Sequence, residues 1–115
     1  MIKIANISAD APADLEKSAA KDLTKEYVDR LGELQSMLTA QKKYSVLVIL
    51  QGMDGSGKYG ATANVFKACH PNSLQVVSFK KPTEEEFAHD FLWRIHKNAP
   101  PKGMIHIFNR SQYED

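Results

Sequence analysis

The stretch from residue 45 to residue 60, SVLVILQGMDGSGKYG, places a glycine-rich loop directly after a continuous apolar run. Gly52, Gly57 and Lys58 satisfy the G-x-x-x-x-G-K pattern of a phosphate-binding loop. Such a loop needs a buried strand before it and a helix after it, since its inward-facing N–H groups and the helix N-terminus together attract phosphate. A flexible turn with a surface lysine is the alternative. The flanking strand and helix patterns favour the phosphate loop.

The rest of the chain predicts an alternation of helices and strands. Apolar residues recur every three or four positions before the loop, which predicts an amphipathic helix over about residues 12–40. The run YSVLVIL is typical of a central parallel strand that is covered on both faces. The later predicted elements are a helix over 58–69, a strand in SLQVVSF, a helix that Thr83 opens in TEEEFAHDFLWRIHK, and a strand in MIHIF. This order predicts an α/β layered fold with a mainly parallel sheet.

Composition narrows the class of protein. The chain has 115 residues and a formal charge of +1, which predicts one domain of modest core size and argues against a nucleic-acid binder. Its single cysteine and its polar start predict a cytoplasmic protein without disulfides, signal peptide or membrane span. Within this domain of residues 1–115 we expect a flexible tail over 1–11, a leading helix over 12–40 and a phosphate-binding core over 44–115.

Other side chains are weaker candidates. Asp54, inside the loop, suits either a turn or a magnesium ligand. Lys80 and Lys81 end the second predicted strand, where ligands bind in open α/β sheets, although surface lysines are usually only solvated. His89 and His96 are too far apart on a helix for the usual metal pair, and Cys69 reads as a small buried hydrophobe.

Three separated segments carry a family resemblance. LQGMDGSGK, SFKKPTEEEFAHDFLWRIHK and IFNRSQYED together resemble the polyphosphate kinase 2 family, and the match covers roughly residues 30–115. Members transfer phosphoryl groups between inorganic polyphosphate and nucleotides. The resemblance implies a P-loop kinase-like fold, with a lid over the active site and a basic channel for polyphosphate.

The resemblance also implies roles for individual residues. Asp54, Lys58 and Arg110 would be catalytic, Asp54 as the ligand of Mg²⁺ and Arg110 as a clamp on phosphate. The form FNRS followed by YED looks like the branch that accepts AMP as well as ADP. The implied phosphate- and nucleotide-binding residues are Gly52, Met53, Gly55, Ser56, Gly57, Lys58, Lys80, Lys81, Asn109 and Glu114.

Two departures from the family pattern bear on activity. Members usually have an aspartate at the position of Tyr59 and often a histidine at the position of Gln112. Members also continue beyond YED with further strands and an arginine-rich lid. We therefore expect an apparently truncated, N-terminal part of such an enzyme, with an edge strand and a helix-packing face left uncovered.

Three functions remain open at this stage. The first is a polyphosphate-dependent phosphotransferase acting on AMP, ADP or ATP with Mg²⁺, and self-association is left open for it. The second is a phosphate-binding protein without turnover, which Tyr59 and the missing lid favour. The third is an ATP-dependent nucleoside monophosphate kinase, which competition by polyphosphate would distinguish from the first.

Overall fold

The computed structural model describes residue 8 and residues 10–113, so most of the predicted tail over 1–11 lies outside the described residues. The α/β alternation that the sequence predicts is confirmed. The elements in chain order are α1 (Lys17–Gln41), β1 (Val46–Leu50), α2 (Lys58–Val65), a short 3₁₀ turn (Pro71–Ser73), β2 (Leu74–Ser78), α3 (Glu84–Phe87), α4 (Trp93–Lys97) and β3 (Ile105–Asn109).

The three strands form a parallel sheet in the order β1-β3-β2. Within the described residues the central strand is therefore β3, whose five residues are all buried, and YSVLVIL lies at the edge of this sheet instead of at its predicted central position. Val46, Leu47 and Ile49 of β1 are each 40% exposed, as befits an edge strand. An apolar run predicts that both faces of a strand are covered, but it does not predict whether the strand has a neighbour on each side.

The leading helix begins at Lys17 and not at about residue 12. Pro12 lies in a turn, where its carbonyl accepts a hydrogen bond from the amide of Leu15 at 3.0 Å. The helix ends where Lys42 adopts a left-handed conformation with φ 50° and its amide donates to Leu38 O.

Helix α1 packs closely on the segment that follows α2. A Cβ added to Gly32 would lie 2.7 Å from the carbonyl oxygen of Ala68, so this contact needs glycine. One turn later the buried amide of Gln35 bonds both backbone groups of His70, donating to O at 2.9 Å and accepting from N at 2.6 Å. The glycine inside the helix thus marks a backbone contact.

The segment after α2 corrects one prediction and confirms another. Helix α2 ends at Val65 instead of residue 69, since the amide of Cys69 turns back to Phe66 O at 3.0 Å. Cys69 is buried as predicted, and burial raises the pKa of its thiol.

The helix that Thr83 opens is shorter than predicted. Thr83 and Glu86 form the expected capping box, but α3 ends at Phe87 and a turn separates it from α4. Asp90 Oδ1 accepts a hydrogen bond from the amide of Leu92 at 2.9 Å in that turn. The spacing of Phe87 and Phe91, four residues apart, would place them on one face of a continuous helix. Because the helix is interrupted, both side chains are exposed.

The core between the sheet and the second half of the chain centres on two aromatic rings. Phe79 and Phe108 meet edge to face with centroids 4.8 Å apart. The buried guanidinium of Arg94 lies 5.2 Å from the centroid of Phe79 and donates to Lys80 O at 2.7 Å. This arrangement holds α4 beneath the carboxyl end of β2.

The opposite side of the sheet is partly uncovered within the described residues. Val46, Val48, Leu31, Leu34 and Leu38 line an apolar groove of about 340 Å³ between α1 and β1. Together with the exposed β1, this groove agrees with the expectation of an open sheet edge and an open helix-packing face. Among the described residues no helix combines the length and apolar character that crossing a membrane requires.

The buried aromatic pair gives a stability prediction. Phe108→Ala should lower the free energy of unfolding by about 3–5 kcal/mol, because the side chain is fully buried at the centre of the sheet. The matched control is Phe87→Ala, which removes a ring that is 83% exposed and should change stability by less than about 0.5 kcal/mol. Urea unfolding of both variants measures the difference, and equal losses would contradict the core described here.

Candidate functional site

The parallel register brings three strand ends to one level. Asn109, the last residue of β3, pairs with Leu50 of β1 on one side and with Ser78 of β2 on the other. The glycine loop leaves β1 at this edge and Arg110 leaves β3 beside it. Two predicted site segments that lie far apart in the chain therefore meet at the carboxyl edge of the sheet, where ligands bind in open α/β folds.

Glycine is required at different positions of the loop for different structural reasons. Gly55 and Gly57 adopt φ angles of 79° and 88°, in the left-handed region that glycine tolerates best. A Cβ on Gly52 would lie 2.7 Å from Ser56 Oγ, so the side chain of Ser56 approaches the backbone here closely. The loop thereby turns sharply into α2, which begins at Lys58. The backbone N–H groups in the first turn of this helix have no hydrogen-bond partner within the helix.

Lys58 folds back across the loop. Its ammonium group donates to the carbonyl oxygens of Gly52 and Met53, the second at 3.0 Å, and lies 3.5 Å from Ser56 Oγ. The positive charge therefore sits over the loop itself, at the position from which a lysine can reach a phosphate held by the loop amides.

Arg110 forms an ion pair with Asp54 across the two segments. Its Nη2 donates to Asp54 Oδ1, and the two side chains are 42% and 87% exposed. The backbone of Arg110 has φ 70°, which is uncommon for a residue with a side chain, and its amide donates to Leu50 O at 3.0 Å. The arginine is thus directed at the loop from a backbone position anchored to β1.

These groups surround one open pocket of about 230 Å³. Its lining combines the positive charges of Lys58 and Arg110 with the loop backbone and the phenol of Tyr59, which is 67% exposed. The full lining is Asp54, Gly55, Ser56, Gly57, Lys58, Tyr59, Gly60 and Arg110. The arrangement is suited to a multiply charged anion.

Asn109 lies beneath this pocket and is not among the residues that line it. Only 2% of the residue is exposed; its Oδ1 accepts from Thr62 Oγ1 at 3.3 Å and its Nδ2 is 3.5 Å from Ser78 Oγ. Thr62 Oγ1 also lies 3.1 Å from Lys58 O, so its single hydroxyl hydrogen is shared between the two acceptors. Through Thr62, Asn109 links α2 to the end of β3.

Sequence reasoning missed three of the supporting residues. Thr62 lies on α2 one turn after Lys58, and its helical spacing from the lysine was the available signal. Gln51 Nε2 donates to the buried Ser111 Oγ at 3.0 Å, which joins the base of the loop to the end of β3. The two residues of this last contact are sixty positions apart in the chain, so no local sequence pattern predicts it.

The remaining predicted residues lie apart from the pocket. Lys80 and Lys81 are exposed at the carboxyl end of β2, on the predicted edge but outside the pocket lining. Met53 is exposed on the loop, and Glu114 lies outside the described residues. The ring of His89 stacks on Trp93 with centroids 4.1 Å apart.

Asp54 contributes a carboxylate to the lining of the pocket. Among the described residues, no group of three or more histidine, cysteine, aspartate or glutamate side chains could hold a metal ion. Mg²⁺ is commonly held by one or two carboxylates together with substrate phosphates and water, so a single carboxylate beside an anion pocket fits this ion.

Comparisons with known proteins agree with the geometry. A sequence model of the polyphosphate kinase 2 family matches residues 14–115. The AMP/ADP-polyphosphate phosphotransferase of Meiothermus ruber is 50% identical over 86 residues, which are 75% of this chain and 32% of that protein. The ADP-polyphosphate phosphotransferase of Rhodopseudomonas palustris is 44% identical over 94 residues, 82% of this chain and 32% of that protein.

A solved structure of a member of this family has a similar fold. The crystal structure of polyphosphate kinase 2 from Arthrobacter aurescens matches with a TM-score of 0.90 and 41% identity, covering 99% of this chain and 43% of that one. The predicted α/β, P-loop kinase-like fold with a parallel sheet is therefore confirmed. The chain spans about a third of the length of the curated relatives it matches.

The buried link between α2 and β3 gives a second prediction. Thr62→Val keeps the side-chain shape but removes the hydroxyl group, leaving the buried amide of Asn109 short of a partner. We expect the free energy of unfolding to fall by about 1–3 kcal/mol, whereas Thr62→Ser, which keeps the hydroxyl, should lose clearly less. Chemical denaturation followed by circular dichroism distinguishes them. A valine variant as stable as the serine variant would mean that the Thr62–Asn109 contact stabilises nothing.

Proposed function

Since the chain belongs to the polyphosphate kinase 2 family, we propose that it supplies the phosphate-binding part of an enzyme that transfers phosphoryl groups between inorganic polyphosphate and AMP or ADP, with ATP as a further nucleotide. The observation that carries this proposal is the convergence of Lys58, Arg110 and the loop backbone on one pocket at the carboxyl edge of the sheet. We place the protein in the cytoplasm, where nucleotides and polyphosphate meet.

The chemistry proposed for the pocket is electrostatic. The transferred phosphoryl group carries charge on its equatorial oxygens, and positioned cations lower the barrier by stabilising that charge. Lys58 would leave the loop carbonyls for a phosphate oxygen, and Arg110 would hold a neighbouring phosphate through its planar, two-pronged guanidinium group. Loop amides and the start of α2 would orient the chain of phosphates.

Mg²⁺ is the metal proposed for this site, held by Asp54 and by phosphate oxygens. When bound, it neutralises charge on the transferred group and orients it. Asn109, with Thr62, would keep α2 in register with Arg110. Lys80 and Lys81 would guide polyphosphate along the same edge of the sheet.

The test of the proposed function is a coupled assay of the intact protein with AMP or ADP and polyphosphate. Formation of ADP or ATP that depends on polyphosphate supports it. Transfer that needs ATP as donor, and that polyphosphate only inhibits, would indicate an ordinary nucleoside monophosphate kinase instead.

Lys58 provides the most direct mutational prediction. Lys58→Ala should weaken tripolyphosphate binding by roughly 1–3 kcal/mol, the contribution of a hydrogen bond to a charged partner. Lys102→Ala is the matched control, because Lys102 is an exposed lysine that precedes β3 at the opposite edge of the sheet. Calorimetry of both variants decides the matter. Equal affinities for the folded variants would remove the loop lysine from the site.

Tyr59 provides a prediction about rate. Tyr59 lines the pocket at the position after the loop lysine, where a phosphate loop normally carries a small hydroxyl group for the metal. Tyr59→Asp should raise the rate of phosphoryl transfer at fixed magnesium, because a carboxylate is a ligand that Mg²⁺ prefers. Tyr44→Asp, at an exposed position before β1, controls for the added charge.

A magnesium titration of both tyrosine variants and the natural protein completes this test. The same turnover and the same magnesium dependence in all three would show that Tyr59 has no influence on the metal. A protein that binds tripolyphosphate without transfer until Tyr59 is replaced would instead identify a phosphate-binding protein with impaired catalysis.

A further inference from the structure

The Asp54–Arg110 ion pair joins the two groups that the proposed function assigns to different ligands. In the structure the guanidinium group, proposed for phosphate, donates to the carboxylate, proposed for the metal. Each group is therefore the present partner of the other. Binding at this pocket has to exchange that contact for contacts with the ligands.

Hydrogen bonds fix the backbone near both Asp54 and Arg110, so the backbone cannot easily shift to change the distance between the two side chains. Arg110 is held by the hydrogen bond that its backbone N–H donates to Leu50 O, and the residue before it by the Thr62–Asn109 contact. The loop is held by the Lys58 contacts to Gly52 O and Met53 O. Side-chain rotation of Asp54 or Arg110 is consequently the motion that opens the pair.

Because of these charges, binding of the metal and binding of phosphate should each strengthen the other. If polyphosphate binds without a cation and attracts Arg110 away from Asp54, the carboxylate of Asp54 is left beside an anion. A cation at Asp54 without phosphate leaves the guanidinium of Arg110 beside a cation. Only when both ligands are present does every charge face an opposite one, so their binding free energies are coupled.

We infer that the Asp54–Arg110 ion pair makes this pocket discriminate polyphosphate carrying a divalent cation from polyphosphate without one. The inference rests on the proposed function, because it assumes that phosphate binds here. Both side chains are substantially exposed, and exposed ion pairs contribute modestly, so the pair itself should account for a roughly twofold to fivefold effect on affinity.

The experiment measures tripolyphosphate binding to the intact protein by calorimetry, first in EDTA and then in Mg²⁺. The variants are Asp54→Asn, Arg110→Gln and the double variant, with Asp29→Asn on α1 as a charge-matched control. In EDTA, Asp54→Asn should tighten binding, and by roughly twofold to fivefold more in the presence of Arg110 than in the Arg110→Gln background. In Mg²⁺ the same substitution should weaken binding, and Asp29→Asn should change little in either buffer.

The outcomes separate the inference from the proposal beneath it. If tripolyphosphate binds but Asp54→Asn gains no more with Arg110 present than without it, the pair persists in the complex and the inference is overturned. If Asp54→Asn stays tighter in Mg²⁺, Asp54 is not the cation's partner and the inference also fails. If no version binds tripolyphosphate in either buffer, the proposed function itself is overturned.

Discussion

The parallel pairing of β3 with both of its neighbours is the constraint on which the site depends. It sets Leu50, Asn109 and Ser78 at one level, so the loop that leaves β1 and the arginine that follows β3 emerge side by side. The amide of Arg110 bonds Leu50 O, and Gln51 bonds Ser111, which fixes this proximity locally. A one-residue slip between β1 and β3 would turn every side chain of the shifted strand to the opposite face and separate the loop from Arg110.

Electrostatics follows from that placement. Two cations and the start of a helix surround a small open pocket, and in the structure both cations are paired with the protein: Lys58 with loop carbonyls and Arg110 with Asp54. Before a ligand arrives, Asp54 neutralises the charge of Arg110, and the ammonium group of Lys58 keeps its charge while bonded to loop carbonyls. Ligand binding replaces internal contacts, which makes selectivity depend on how well the ligand reproduces them.

The sequence was sufficient for features that are local. The loop between strand and helix and the capping box at Thr83 were predicted correctly, since each depends on neighbouring residues. The central position of β3 was not, because MIHIF is less apolar than YSVLVIL and strand order is a long-range property. The helix after Thr83 was predicted too long, because Asp90 bonds the amide of Leu92 and interrupts it. The expectation that Asn109 binds phosphate or nucleotide stays a prediction, and its contacts with Thr62 and Ser78 could not be predicted because they join separate elements of the chain.

The central claim is that the glycine loop and Arg110 form one phosphate site, although more than fifty residues separate them in the chain. A crystal structure of the intact protein with tripolyphosphate and Mg²⁺ tests this most directly. The account predicts phosphate oxygens within hydrogen-bond distance of both the Lys58 ammonium and the Arg110 guanidinium, with Asp54 turned from the arginine to the cation. Phosphates bound only at Lys80 and Lys81, with the Asp54–Arg110 pair intact, would contradict it.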